Sequence, residues 1–241
     1  MQLPLITCPN NLTVSADAAC QYVGTATLNA IASDNCAGVA LSNSVDNTNS
    51  LVGEVFGLGT YTITWTATDA ANLTRTCDFV LTVKDDTPPT LTCPANLVAV
   101  CSAGEQAAYA DFIAFQNALG SAADNCGVNN ASFVLLSQTD NGLTCPQTVT
   151  RTYRITDVNG NTGTCQQTIT VDDNENPTVT LVGEASMEIC EGSVFVDPGA
   201  TATDNCGGNL TGIIAVTGSV DGNTPGVYMI TYKVTDACGN M

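Results

Sequence analysis

Histidine is absent from this chain of 241 residues, and only five lysine and arginine residues stand against 23 aspartate and glutamate residues. Without histidine the chain lacks the usual general base of enzymes, so the sequence favours a protein that is not an enzyme. A net charge of −18 opposes binding to nucleic acid or to an anionic membrane surface. No apolar run approaches the roughly 18 residues of a membrane span, so we expect no membrane insertion.

Short paired cysteine motifs are also missing, although the chain has 12 cysteines. A structural zinc site without histidine would need four thiolates with paired spacings such as C-x-x-C, and no such pair occurs. Disulfide bonds formed in an oxidising compartment explain the cysteines better. The sequence therefore predicts an extracellular protein.

Charged residues make up only 12% of the chain, while threonine, valine, alanine, asparagine and glycine dominate. This composition favours strands joined by tight turns over helices, and the predicted fold class is all-β. Residues 106–119 are the one stretch whose apolar spacing predicts a short helix.

Three motifs recur in the same order along the chain. An opening such as Pro4–Cys8 or Pro89–Cys93 is followed by Asp-Asn-Cys, and then by a strand that ends in Thr-Asp. The second and third motifs recur about 80 to 90 residues apart, which indicates tandem copies of one small β domain. The expected domains are residues 1–86, 87–173 and 174–241, called repeats 1, 2 and 3 below, and repeat 3 lacks its expected last strand. The motifs end at Cys36, Cys126 and Cys206 and at Asp69, Asp157 and Asp236.

Alternation along the strand before each Thr-Asp predicts one buried face per repeat. Arg151 interrupts the apolar column in repeat 2, and we expect it at the sandwich rim with its head paired with a carboxylate. Trp65, Tyr153 and Tyr232 are expected to be core anchors. The predicted columns are Tyr61, Ile63, Trp65 and Ala67; Val149, Arg151, Tyr153 and Ile155; and Tyr228, Ile230, Tyr232 and Val234.

Disulfide partners follow in part from the topology of a seven-stranded sandwich, whose first and last strands run parallel from the same end. Cys8 and Cys77 open these two strands in repeat 1, and Cys93 and Cys165 do so in repeat 2, so each pair is expected to bond. Cys20 and Cys36 are then left in repeat 1 and are also expected to pair, closing a loop worth about 3 kcal/mol.

The other two repeats each retain three cysteines without an assigned partner. An odd number leaves open a free thiol, a bridge between repeats, or a partner outside this sequence. These unassigned cysteines are Cys101, Cys126, Cys145, Cys190, Cys206 and Cys238.

Several of these motifs carry a family resemblance. The Cys-Pro openings, the Asp-Asn-Cys motif and Cys77-x-Phe79 resemble the hyalin repeat (HYR) family of immunoglobulin-like modules. The segments Asp197–Asp204 and Pro225–Tyr228 resemble the related bacterial immunoglobulin-like repeats. The resemblance implies three tandem immunoglobulin-like β-sandwich modules in an elongated array.

The same resemblance implies a function and a location. Such arrays form large secreted surface adhesins of gliding or biofilm-forming bacteria. The chain is then expected at the cell surface, as a disulfide-stapled stalk or spacer of an adhesin or filament in attachment or gliding. Its expected partners are neighbouring repeats of the same polypeptide and a surface glycan or protein ligand.

Acidic residues cluster at both joints between repeats, in residues 84–89 and 172–177. Calcium binds six to eight hard oxygen ligands and often lies at the joints of tandem extracellular modules. The second joint is similar to the Asp-x-Asn-Asp-Asn-x-Pro linker of cadherins, with one residue fewer before the proline. The alternative is that these side chains cap their own backbone amides. The candidate calcium ligands are Asp85, Asp86, Asp172, Asp173, Asn174 and Glu175.

Two other functions are kept as alternatives. An accessory ligand-binding module of a secreted hydrolase would need an exposed aromatic platform, and aromatic residues make up only 5% of the chain. A fibre subunit completed by donor-strand exchange would receive the missing last strand of repeat 3 from another chain. A sequence cut from a longer array is the simpler explanation of that missing strand.

Overall fold

A computed structural model of the chain describes residues 2–241, which form an all-β fold with little helix. The strands in repeat 1 are β1 (Leu5–Thr7), β2 (Leu12–Ser15), β3 (Gln21–Val23), β4 (Ile31–Ser33), β5 (Ala40–Asn43), β6 (Val55–Gly57), β7 (Gly59–Thr68) and β8 (Thr74–Lys84). Those in repeat 2 are β9 (Thr90–Thr92), β10 (Leu97–Ala99), β11 (Ser121–Ala123), β12 (Val128–Asp140), β13 (Gln147–Asp157) and β14 (Thr162–Val171). Those in repeat 3 are β15 (Thr178–Leu181), β16 (Ala200–Asp204), β17 (Gly208–Asn209), β18 (Ala215–Thr217) and β19 (Thr231–Lys233).

Helical structure is confined to short segments. The α-helix α1 (Phe112–Asn117) lies inside the predicted stretch 106–119 and is shorter than expected. The side chain of Asp111 caps its start by accepting the amide of Ala114 at 2.8 Å. Leu119 adopts a positive φ of 73°, which is incompatible with a continued helix. The other helical segments are 3-10 turns at Ala26–Leu28, Ala103–Glu105 and Thr211–Ile213.

The chain divides into two compact units whose boundaries differ from those of the sequence repeats. Unit 1 comprises Met1–Thr92, Gly120–Phe133 and Arg154–Thr164, and unit 2 comprises Cys93–Leu119, Val134–Tyr153 and Cys165–Met241. The boundaries pass through β12, β13 and β14, so the division into three repeats stays a prediction from the sequence. In residues 2–241, no helix has the length and apolar character needed to cross a membrane.

Unit 1 contains a four-stranded sheet in the order β2-β8-β7-β5. Strand β2 runs parallel to β8, and β7 is antiparallel to both β8 and β5. This parallel pair is the expected relation between an early strand and the last strand of repeat 1. The pairs β1–β4 and β3–β6 add two short antiparallel ladders.

The core of unit 1 lies against one face of β7 and β8. Ile63, Trp65 and Ala67 have no exposed surface, which confirms three positions of the predicted column; Tyr61 is half-buried. The indole N–H of Trp65 donates to the carbonyl of Leu28 at 3.0 Å. Trp65 therefore fills the core and also satisfies a buried backbone oxygen.

In unit 2, β10 pairs in parallel with β14, the counterpart of the β2–β8 pair. An aromatic cluster of Tyr109, Phe112, Phe115 and Tyr153 has ring centroids 5.4 to 6.0 Å apart. Tyr153 is fully buried, as its predicted role as a core anchor requires.

The prediction that Arg151 lies at the sandwich rim is wrong. The side chain is only 4% exposed, and its Nε donates to Oε1 of Gln138 at 2.8 Å. Its Nη2 lies 3.4 Å from the carbonyl oxygen of Ala103. The expected carboxylate partner is wrong because neutral amide and carbonyl oxygens of neighbouring segments receive these donors inside the fold.

Repeat 3 buries less of its predicted column than repeats 1 and 2. Val234 is buried, whereas Tyr228 is 37% exposed and Tyr232 is half-buried. The hydroxyl of Tyr232 donates to the carboxylate of Asp197. The expectation that Tyr232 is a buried core anchor is therefore wrong, because its polar end reaches a surface carboxylate.

Replacing Trp65 with alanine is expected to reduce the free energy of unfolding by about 3 to 5 kcal/mol, because it empties a fully buried site. Trp65→Phe should cost less, since a six-membered ring still fills most of the site and the losses are the five-membered ring and the bond to Leu28. Val55→Ala, at a half-exposed position of unit 1, is the control and should change stability by less than about 1 kcal/mol. Urea unfolding followed by circular dichroism measures all three, and equal costs for Trp65→Ala and Val55→Ala would contradict this assignment of the core.

Candidate metal centres and disulfide bonds

Five disulfide bonds cross-link the described chain. Two of them, Cys8–Cys77 and Cys93–Cys165, are the pairs expected from the sandwich topology. The other three join cysteines of successive repeats. They are Cys20–Cys126, Cys101–Cys206 and Cys145–Cys238.

The expected bond between Cys20 and Cys36 is wrong. Cys20 is bonded to Cys126, with their Cα atoms 4.8 Å apart, and Cys36 is a free, exposed thiol. Asn125 explains this choice, since its Nδ2 donates to the carbonyl of Asp17 at 3.1 Å and places the Asp-Asn-Cys turn of repeat 2 beside the turn that carries Cys20. The expectation assumed that each repeat closes its own cysteine pairs, whereas these bonds link one repeat to the next.

Each unit contains one group of three aspartates whose carboxylate oxygens can share an ion. In unit 1, Asp85, Asp124 and Asp157 each offer one oxygen, and these oxygens lie within 4.8 Å of one another. We call this group the first acidic cluster. The second acidic cluster consists of Asp173, Asp204 and Asp236 in unit 2, with the same mutual limit of 4.8 Å.

The two clusters are built from equivalent sequence positions. One aspartate comes from the joint before the repeat, one from its Asp-Asn-Cys motif and one from its Thr-Asp motif. The same side-chain types converge twice in one chain, in repeat 2 and in repeat 3. This recurrence indicates that the convergence of the three aspartates is a property of the repeat itself.

Backbone amides orient the Asp-Asn-Cys aspartates. Oδ1 of Asp124 accepts the amides of Cys126 at 2.8 Å and Gly127 at 3.0 Å. Oδ2 of Asp204 accepts the amides of Cys206 at 2.9 Å and Gly207 at 2.6 Å. One oxygen of each carboxylate is thereby fixed within its own turn.

The other oxygen of each of these carboxylates is buried and has no hydrogen-bond partner. These atoms are Oδ2 of Asp124 and Oδ1 of Asp204. A buried carboxylate oxygen without a partner is unfavourable, because burial removes its hydrogen bonds to water and the protein supplies none in their place. An ion bound at the cluster would satisfy it.

One asparagine ties each Thr-Asp turn to the joint. Nδ2 of Asn161 donates to Oδ2 of Asp157 at 2.7 Å and lies 3.3 Å from the carbonyl oxygen of Asp85. Nδ2 of Asn240 repeats both contacts, at 2.8 Å to Oδ2 of Asp236 and 2.8 Å to the carbonyl oxygen of Asp173. The joint is therefore held against the turn by a neutral donor.

Hydrogen bonds lower the pKa of the Thr-Asp carboxylates of repeats 2 and 3, Asp157 and Asp236. Burial alone raises the pKa of Asp157, but the side chain of Asn161 and the amides of Asn161 and Asn159 outweigh burial, and the pKa lies below its ordinary value. The pKa of Asp236 is lowered in the same way, against burial, by Asn240 and by the amides of Asn240 and Cys238. Both clusters thus present charged oxygen ligands at neutral pH.

Of the six calcium ligands predicted at the joints, only Asp85 and Asp173 belong to a cluster. Asp86 instead forms an ion pair with Lys84 at 3.2 Å. Asp172 and Glu175 also lie outside both clusters as they are defined for residues 2–241, and Asn174 stays a prediction because these clusters consist of carboxylates alone. The acidic run alone is a poor guide because neighbouring side chains of an extended segment point in different directions.

The predicted calcium ligands do not include four of the six cluster residues, which are Asp124, Asp157, Asp204 and Asp236. The available signal was the recurrence of an acid at a fixed place in every Asp-Asn-Cys motif. The Thr-Asp motif carries the same signal at Asp157 and Asp236.

Family comparison supports the resemblance to surface repeats. Residues 1–83 match the HYR domain family, and residues 179–241 match the family described as bacterial surface protein, Ig-like domain. Among curated proteins, none matches this sequence.

Similar solved structures come from cadherins. Drosophila N-cadherin EC1-3 is 13% identical with a TM-score of 0.36, covering 72% of this chain and 66% of that one. Human CDH23 EC21-23 is 16% identical with a TM-score of 0.29, and the match covers 89% of this chain and 85% of that one. Protocadherin Gamma B2 extracellular cadherin domains 3-6 are 16% identical with a TM-score of 0.33, and the match covers 71% of this chain and 52% of that one. These scores describe a remote likeness.

Removing the amide of Asn161 should destabilise the protein in a pH-dependent way. The lowered pKa of Asp157 means that its hydrogen bonds contribute stability above the ordinary carboxyl pKa of about 3.9, and that this contribution is lost as the pH falls through the lowered value. Asn161→Ala is therefore expected to cost about 1 to 2 kcal/mol at pH 7 and less at low pH. Urea unfolding across this range provides the test.

The matched control is Asn130→Ala, at an exposed position of β12 in unit 1. Asn130→Ala should change the free energy of unfolding little at any pH. A cost of Asn161→Ala that stays constant from pH 7 down to pH 2 would refute the assigned role of Asn161.

Proposed function

We propose a function for a chain that carries HYR and bacterial immunoglobulin-like repeats: it is a non-catalytic, extracellular repeat segment of a bacterial surface adhesin or filament. The chain acts as a stalk or spacer built from three tandem modules, in attachment or gliding. Its partners are neighbouring repeats, and a binding region elsewhere in the protein contacts the surface glycan or protein ligand.

The observation that supports this proposal best is the set of disulfide bonds that join successive repeats. Cys20–Cys126 links repeats 1 and 2, and Cys101–Cys206 and Cys145–Cys238 link repeats 2 and 3. A spacer between a cell and a surface is pulled along its length. Covalent links across each joint keep neighbouring repeats together even when one of them unfolds.

Calcium binding at the two acidic clusters is the second part of the proposal. A calcium ion lies about 2.4 Å from its ligands, so two oxygens that share one ion are at most about 4.8 Å apart. The three carboxylate oxygens of each cluster meet this limit. Carboxylate oxygens are also the hard ligands that calcium prefers over softer donors.

The charge of each cluster also favours a cation. Two unit charges about 4 Å apart near a protein surface repel each other by about 4 kcal/mol, and each cluster brings three carboxylates together. A bound divalent cation would reverse the sign of this interaction. It would connect the joint residue, Asp85 or Asp173, to the two turns of the following repeat.

Calcium is therefore expected to raise the melting temperature relative to the protein in excess chelator. A free ion concentration of 100 times Kd stabilises the folded state by about 2.7 kcal/mol per site. Isothermal titration should find two calcium ions per chain, and Asp124→Asn and Asp204→Asn should each remove one of them. The double variant should bind none.

Asp140→Asn serves as the control, because Asp140 is exposed and lies outside both clusters. It should still bind two ions. Magnesium should stabilise the protein less, since it keeps its waters and demands strict octahedral geometry. An identical melting temperature in calcium and in chelator would contradict the proposed calcium binding but not the proposed spacer function.

The spacer function makes its own prediction about dimensions in solution. A compact protein of 241 residues has a radius of gyration of about 18 Å. A stalk of three tandem modules should give a clearly larger value by small-angle X-ray scattering, with a distance distribution skewed to long distances. A value near 18 Å would exclude the stalk.

A further inference from the structure

The four-stranded sheet of repeat 2 has one long, exposed edge. Among residues 2–241 the strand order of this sheet is β10-β14-β13-β12, so β12 is its last strand. The part of β12 that belongs to unit 2 is Val134–Asp140, and every residue in it is exposed. Because successive side chains of a strand point to opposite faces, neither face of this segment is covered. We call Val134–Asp140 the exposed edge.

The exposed edge combines apolar side chains with an absence of charge. Val134, Leu135 and Leu136 are 40%, 38% and 49% exposed. The sequence of the edge, Val-Leu-Leu-Ser-Gln-Thr-Asp, contains no proline and no charged residue before Asp140. Charged side chains and proline are the usual protection of an edge strand against pairing with another strand, and Val134–Thr139 carries neither.

The equivalent edge is closed in repeat 1. Counted from the cysteine of each Asp-Asn-Cys motif, the exposed edge occupies the positions of residues 44–50. There the last strand of the sheet, β5, ends at Asn43, which is 3% exposed. Oδ1 of Asn43 accepts the amides of Val45 at 2.7 Å and Asp46 at 3.1 Å, so the strand ends in a turn. The chain therefore carries a closed and an open version of the same edge.

The opposite edge of the repeat 2 sheet is short and partly covered. Strand β10 comprises Leu97–Ala99 alone, and Nε2 of Gln106 donates to the carbonyl oxygen of Val98 at 2.7 Å. The side chain of Val98 is nevertheless 74% exposed. Val98 thus provides a matched control position on the same sheet.

The modules on either side of repeat 2 both belong to this sequence. The exposed edge is open to solvent in the presence of repeats 1 and 3, which precede and follow repeat 2 along the chain. A strand that would cover this edge must therefore come from elsewhere.

We propose that the exposed edge pairs with the same edge of a second copy of this chain, antiparallel and around a two-fold axis at Leu135. Leu135 then lies opposite Leu135 of the second copy, and Val134 lies opposite its Leu136, so apolar side chains meet across the new pair. The backbone N–H and C=O groups that point out of one edge bond to those of the other. This lateral contact between two chains goes beyond the proposed spacer function and does not depend on calcium binding.

Charge favours a second copy over a partner of another kind. A basic partner would need carboxylates along the edge and an acidic partner would need lysine or arginine, and Val134–Thr139 has neither. Around an axis at Leu135, the two Asp140 carboxylates lie about 33 Å apart along the paired strands, well beyond the Debye length of about 10 Å at 0.1 M salt. Two-fold pairing is also self-complementary, since both surfaces are the same.

The contact is expected to be weak and to depend on salt. One pair of edge strands is smaller than the standard interface of about 800 Å² on each partner. Two chains that each carry a net charge of −18 also repel each other. Salt screens this repulsion and leaves the backbone hydrogen bonds and apolar contacts, so dimerisation should strengthen as the salt concentration rises. An interface held by ion pairs would respond in the opposite direction.

Sedimentation equilibrium of the full chain tests the proposal, with Cys36→Ser and Cys190→Ser introduced throughout to remove the two exposed free thiols. A monomer–dimer equilibrium is expected at protein concentrations up to about 1 mM, the effective concentration typical of neighbours held close together. Leu135→Lys places two like charges at the axis and should lower the association constant about tenfold or more. Val98→Lys adds the same charge to the opposite edge and should change the association constant by less than about twofold.

Amide hydrogen exchange identifies the surface that pairs. In the chain with an unaltered edge, the outward amides of Val134–Asp140 should exchange more slowly as the protein concentration rises, whereas those of Leu97–Ala99 should not change. A protein that stays monomeric over the whole concentration range would overturn the proposal. Equal effects of the two lysine variants, an association constant that falls as salt rises, or a dimer without added protection at Val134–Asp140 would overturn it as well.

Discussion

The Asp-Asn-Cys turn is the constraint on which the rest of this structure depends. In repeats 2 and 3 its aspartate belongs to an acidic cluster and accepts two backbone amides with one oxygen, which fixes the turn and leaves the other oxygen without a hydrogen-bond partner. The cysteine two residues later bonds to the preceding repeat. One short motif thereby supplies both the covalent link and a candidate metal ligand at the same joint.

The acidic composition has a consistent explanation in this arrangement. Most carboxylates keep an extracellular array soluble by mutual repulsion. At the clusters, three of them are brought within reach of one ion, and neutral donors from Asn161 and Asn240 hold the charged oxygens in place. The free energy of this crowding is unfavourable without a cation, and the proposed calcium binding would make the joints respond to the calcium concentration outside the cell.

The sequence predicted the fold class and the buried face of repeat 1 because both depend on local alternation, as at Ile63 and Trp65. It also predicted the Cys8–Cys77 and Cys93–Cys165 pairs, since they follow from strand order within one sandwich.

The bonds between repeats could not be predicted by treating each repeat as closed. They depend on long-range docking, such as the contact of Asn125 with Asp17, that no local pattern reports. Four of the six cluster residues lie outside the joints in sequence, so the acidic joints did not identify them, although their recurrence at fixed motif positions was visible. Cys238 occupies the position of Asn159 in the preceding repeat, so the Cys145–Cys238 bond has no counterpart between repeats 1 and 2.

The proposed spacer function requires that cross-links between successive repeats carry the load along the chain, and single-molecule stretching between the two termini tests this most directly. With all five disulfides intact, the shortest covalent route passes through residues 1–20, 126–145 and 238–241. At about 3.5 Å per residue, that route extends to about 150 Å, whereas the fully reduced chain extends to about 840 Å. The account predicts a limit near the shorter length before reduction and near the longer one after it. An oxidised chain that extends close to the full length would contradict the account.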